Sequence, residues 1–157
     1  MKKLIASLLL CTALVAPSAA FARDVTITTT LTGYSGLAAY LAVYVTKPDG
    51  TYDSTLWVSG GKQRYLRELR GWVNAMTSTG MTTLSIDGIT GASVGSGQTL
   101  TINANLADAM IDAGYQVHVE TAVEHGGEYP DDAMVPITSA GQKVTGSGYV
   151  ATLAVSM

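Results

Sequence analysis

From Asp24 to Leu31 the side chains alternate. Val25, Ile27, Thr29 and Leu31 fall on one side, and Thr26, Thr28 and Thr30 on the other. A period of two is the signature of a strand with one face in a core. Related stretches recur down the chain, at residues 38–46, 51–58, 83–86, 99–105, 115–123, 135–138 and 148–155. Lys47-Pro48-Asp49-Gly50 supplies turn chemistry between two of them, so residues 38–58 read as a hairpin. One segment breaks the pattern. Leu66, Leu69, Val73 and Met76 recur at three- and four-residue spacing and predict a helix from about Gln63 to Met76. Gly60-Gly61 precedes it and Gly80 follows, while Arg64, Arg67 and Arg70 share a second face. The expected fold is mostly β, an immunoglobulin-like antiparallel β-sandwich with one amphipathic helix.

The N-terminus has the three parts of a secretory signal. Lys2 and Lys3 precede an apolar run from Leu4 to Val15, and Ala20-Phe21-Ala22 forms the cleavage pattern. The run is shorter than the ~18 residues a spanning helix needs. Cleavage is expected after Ala22, leaving residues 23–157 as a single periplasmic domain, peripheral to a membrane at most. Cys11 lies in the leader and is the sole cysteine, so the mature chain has neither disulfide nor thiolate chemistry. Lys2 and Lys3 are two of nine basic residues, whereas all twelve Asp and Glu lie in the mature domain. That acidic balance argues against a nucleic-acid partner.

Asp87-Gly88-Ile89-Thr90-Gly91-Ala92-Ser93 sits in a Gly/Ser/Thr-rich loop between two strands. It resembles the acceptor motif for covalent flavin attachment: Asp, two free positions, Ser or Thr, Gly, Ala, then Ser or Thr. The resemblance implies that an extracytoplasmic flavin transferase moves the FMN half of FAD onto the Ser93 hydroxyl, with Asp87, Thr90, Gly91 and Ala92 as recognition residues. The residue types suit that chemistry. A hydroxyl is the nucleophile, activated by a base in the transferase, and Gly91 and Ala92 keep the loop thin enough to enter a foreign active site. Read without the resemblance, the same stretch is a Gly-rich strand connection with Asp87 as a turn residue.

The whole mature chain also resembles a family of predicted periplasmic proteins of unknown function. The matching segments are Tyr40 to Val45, Lys62 to Trp72, the 87–93 loop, and Glu120 to Gly127. Members tend to accompany PepSY-type membrane reductases and flavin transferases, often in settings that suggest iron uptake. The resemblance implies an electron carrier or accessory protein rather than an enzyme in its own right.

Lys62, Arg64, Arg67 and Arg70 form a local positive patch in an acidic chain. Arg64 and Arg67 are candidates for contact with flavin or an acidic partner; a solvated helix face is the plainer reading. Tyr65 and Trp72 have the shape to cover a flavin ring, although aromatic residues on such a helix more often enter a core. His125, before Gly126-Gly127, is a candidate for ordering the loop or lying beside the cofactor. His118 and His125, with Glu120, Glu124 and Glu128 nearby, raise a metal-binding alternative, but the spacing matches no common ligand motif. A non-redox binding or adaptor domain is the other alternative. Hydrolase chemistry is not favoured, for the two histidines and the scattered acids define no triad.

Overall fold

The structure is a computed structural model that describes residues 21–60, 63–82 and 89–157. Residues 1–20 of the expected leader and the strand expected at 83–86 lie outside the described residues. The alternating stretches become two stacked sheets. In the first, β5 (Thr99–Ala107), β1 (Ala22–Leu31), β9 (Val150–Ser156) and β8 (Gln142–Val144) lie side by side and antiparallel. In the second the order is β4 (Thr90–Gly91), β3 (Tyr52–Ser59), β2 (Tyr40–Thr46), β6 (Gln116–Ala122) and β7 (Glu128–Pro136). The described sheets are antiparallel except that β4 runs parallel to β3.

The inner faces of the sheets make the main core. Val25, Ile27 and Leu31 of β1 meet Leu41, Val43 and Val45 of β2 and Val117 and Val119 of β6. The expected β-sandwich is therefore present. Every residue of β2 is buried, because the second sheet is covered on both sides. Its outer face carries Tyr40, Ala42 and Tyr44, which pack against Leu66, Leu69, Trp72 and Met76 in a second core beneath the helical segment. Each large buried side chain of this kind stabilises the fold by roughly 1.5–3 kcal/mol.

That segment is not the continuous helix its periodicity predicts. A 3₁₀ stretch, Gln63–Glu68, is followed by α1 (Arg70–Ser78), with the break at Leu69, whose ψ of 70° is non-helical. The cause lies on the sheet below. Leu69 offers no capping side chain, and two carboxylates from β6 and β7 cap the start of α1 instead. Glu128 Oε1 accepts from the Arg70 N–H at 3.0 Å, and Glu120 accepts from the N–H groups of Gly71 and Trp72 at 3.0 and 2.5 Å. The first free donors of a helix need such partners.

Pro130-Asp131-Asp132 has the residue types of a loop but lies inside β7. As the edge strand, β7 tolerates a proline whose missing N–H would face outward. The pairing register shifts between Val119 and Thr121, opposite this tripeptide, and Asp131 adopts a φ of 50°.

Candidate functional site

The flavin-acceptor-like stretch is fastened to one end of the second sheet. Val58 lies opposite Thr90 and Ser59 opposite Gly91. The Val58 N–H donates to the Ile89 carbonyl at 3.0 Å, and the Gly60 N–H to that of Gly91 at 3.1 Å. A little further on, Ala39 and Val94 exchange backbone hydrogen bonds at 2.8 and 3.2 Å. Ala92 and Ser93 bridge the two anchors. Thr90 and Ala92 are exposed, while Gly91 and Ser93 are half-buried. Asp87 lies outside the described residues.

Gly91 has a packing reason of its own. A Cβ at this position would overlap the Trp57 indole, so the strand pair closes only if residue 91 has no side chain. Trp57 Nε1 and Ser59 Oγ, both beside this junction, are buried with no hydrogen-bond partner among the described residues. Buried polar atoms are usually satisfied, so the seam beneath the loop holds two unspent hydrogen-bonding groups.

The helical segment brings its charges to the same end. Tyr40, next to Ala39 and paired with Ala122, packs its ring in a tilted contact 5.6 Å from that of Tyr65. The Tyr65 hydroxyl donates to Glu124 Oε1 at 2.7 Å, which raises the phenol's pKa. Arg64 donates to the Tyr65 oxygen at 3.1 Å and lies over its ring, 4.7 Å from the centroid. His125 Nε2 is 3.9 Å from Glu124 Oε1. Two of the expected contact residues, Arg64 and His125, thus meet through Tyr65 and Glu124. Arg67 is exposed one 3₁₀ turn after Arg64, where residues three apart eclipse. Beside them is a cleft of about 270 Å³ lined by Glu68, Arg70, Val123, His125, Gly127 and Glu128. Arg70 Nε closes one side of it, 3.3 Å from Glu128 Oε2.

Trp72 does not reach this surface. It is 0% exposed, and its Nε1 donates to Thr55 Oγ1 at 2.8 Å. It is a core residue. His118 and His125 are likewise not brought together, because His118 lies within β6 and His125 in the turn beyond its end. Among the described residues no three His, Cys, Asp or Glu side chains form a group able to hold a metal ion.

Three buried polar devices escaped the sequence reading. Glu120 is fully buried, and burial pushes its carboxyl up to about 7 even though the Trp72 and Gly71 N–H groups favour the charged form. His118 links Thr46 Oγ1, 2.9 Å from Nε2, to Asp131 Oδ1, 2.6 Å from Nδ1. Tyr44 stacks on the imidazole at 4.9 Å and donates to the same Asp131 oxygen at 3.1 Å. The His118 hydrogen bond holds the Asp131 carboxyl below its ordinary value. Asp132, 2% exposed, accepts from Thr121 Oγ1 at 2.6 Å and from the backbone N–H groups of Ser147, Gly148, Tyr149 and Val150 at 2.7–3.0 Å. It ties β7 of one sheet to the turn leading into β9 of the other. The partners of all three are distant in sequence, so spacing carried no signal for them.

No described helix is long and apolar enough to cross a membrane. No curated protein and no solved structure matches this chain. A family model does match, over residues 22–152, and its members are described as predicted periplasmic proteins. That description agrees with the export expected from the N-terminus. Because the match spans most of the chain, the chain belongs to this periplasmic family, DUF2271.

Proposed function

We propose that this chain is a periplasmic electron-transfer flavoprotein carrying FMN on Ser93 through a phosphoester, loaded by a flavin transferase and partnered by a PepSY-type membrane reductase, in a setting of iron uptake. The observation that carries the reading is the position of residues 90–93. The stretch that matches the acceptor pattern lies at a rim of the sandwich, with Ala92 exposed and Ser93 half-buried, and not in the core.

In the loading step, Ser93 Oγ attacks the FMN phosphorus of FAD. The Oγ–P bond forms, the phosphoanhydride bond breaks, AMP leaves, and the hydroxyl proton passes to a base of the transferase. Once attached, FMN supplies the redox chemistry, while the protein sets its position and access. Arg64, at the same end of the sheet, offers a positive charge to the phosphodiester or to an anionic flavin. His125, exposed in the β6–β7 turn, stands beside it. The orphaned Trp57 Nε1 donor under the loop suits a site that accepts a polar group.

Co-expression with a flavin transferase, followed by denaturing electrophoresis, tests the reading. Flavin fluorescence is expected to migrate with the unfolded chain and to vanish in Ser93→Ala. Fluorescence absent from the wild-type band, while a control substrate is labelled in the same cells, would overturn it.

A further inference from the structure

Among the described residues the two sheets have four edges, and three are blunted. β7 carries Pro130, Pro136 and a register shift, β8 is three residues long with Lys143 at its centre, and β4 is only two residues long. β5 has none of these devices. It runs nine residues, Thr-Leu-Thr-Ile-Asn-Ala-Asn-Leu-Ala, with no charge and no proline. Its pairing with β1 is unbroken from Thr99 to Ala107. Long, flat, uncharged edges of this kind are templates for another strand.

The direction of its free backbone groups follows from the ladder. The Leu31 N–H donates to the Gln98 carbonyl, and the Asp108 N–H to that of Phe21. Hydrogen-bonded pairs alternate along an antiparallel ladder. Leu100, Ile102, Ala104 and Leu106 therefore bond to β1, and Thr99, Thr101, Asn103, Asn105 and Ala107 turn their N–H and C=O groups outward. Among the described residues no backbone hydrogen bond is made to that outer side.

We propose that the β5 edge is a dimer interface, pairing antiparallel with β5 of a second copy about a two-fold axis at Asn103. Every outward group then finds a partner: Asn103 faces its own copy, Thr101 faces Asn105, and Thr99 faces Ala107. On the inner face Leu100 meets Leu106 and Ile102 meets Ala104, which extends each core across the join. Leu100 and Ala104 are half-buried in a single copy, and pairing covers them. The register selects a second copy as the occupant, because about this axis it sets apolar against apolar on the inner face and Thr101 against Asn105 on the outer. The chain is net acidic, but this strand places no charge opposite itself. A two-fold contact also needs a self-complementary patch, and the strand is one. The pairing is independent of the flavin reading.

Sedimentation velocity on the mature chain across a range of concentrations tests it, with hydrogen exchange as a second readout. The wild type is expected to sediment as a dimer at high concentration, with the Thr101, Asn103 and Asn105 amides protected there and released on dilution. Asn103→Pro removes an outward N–H, along with the exposed hydrogen bond from Thr26 Oγ1 to Asn103 Oδ1, and is expected to halve the apparent mass. Asn103→Lys sets two like charges across the axis and does the same should the proline variant fail to fold. A wild type monomeric at every concentration, or a dimer that survives both substitutions, would overturn the proposal.

Discussion

Glu120 is the residue on which the packing of the helical layer turns. Its carboxyl, raised to about 7 from an ordinary 4.5, holds its proton more tightly in the folded chain than in the unfolded one. Stability from this group is full below pH 4.5 and is lost as pH rises toward 7. The loss amounts to roughly 3 kcal/mol at most, since each tenfold gain in proton affinity is worth about 1.36 kcal/mol. Urea unfolding at pH 5 and pH 8 is expected to show the wild type weaker at the higher pH, and Glu120→Gln to flatten that difference. Asp131 acts in the opposite sense: its lowered pKa adds stability above pH 3.8, lost only in stronger acid. Asp132 lies between five donors, and Asp132→Asn turns an N–H₂ toward some of them. A loss of about 3 kcal/mol in unfolding free energy is expected, with the fold's far-ultraviolet dichroism retained at low temperature. None of these roles was legible in the sequence. Pro130-Asp131-Asp132 reads as an ordinary acidic turn, because the four N–H groups that Asp132 gathers come from residues 147–150.

At the scale of elements, β1, β2, β3, β5, β6 and β9 were legible as apolar or alternating runs, whereas β7 was legible only near its end and the three residues of β8 carry no pattern. The helix was legible as an apolar stripe through Leu66, Leu69 and Met76, all of which enter the second core. Its break was not, because the capping groups sit on β6 and β7, some fifty positions away. The same distance explains Gly71. A Cβ there would lie 2.8 Å from Glu120 Oε2 and 3.2 Å from the Pro130 Cβ. In an exposed helix Gly→Ala gains about 1 kcal/mol. Here Gly71→Ala is expected to lose about 2 kcal/mol by overpacking. A stabilised variant in urea unfolding would show that the carboxylate does not hold the start of α1. β4 was missed because a two-residue parallel pair has no periodicity to read. Its need for Gly91 comes from the Trp57 ring, a neighbour across the sheet.

For the whole molecule, the sandwich has two cores of different character. The inner one is aliphatic and joins the sheets; the outer one is aromatic and carries buried carboxylate and imidazole groups. The expected site residues separate along this division. Ser93, Thr90, Gly91 and Ala92 lie at one end of the second sheet, where Arg64 and His125 join them, while His118 belongs to the polar layer within the sheet. The family match over residues 22–152 gives the chain its periplasmic setting. The proposed phosphoester at Ser93 would retain a cofactor there without a cysteine in residues 23–157. Intact-mass measurement of the mature chain, purified after co-expression with an active flavin transferase, tests this proposal most directly. A gain of one FMN unit is expected in the wild type, none in Ser93→Ala, and retention in Ser93→Thr. An unshifted wild-type mass, with a control acceptor modified in the same cells, would contradict it.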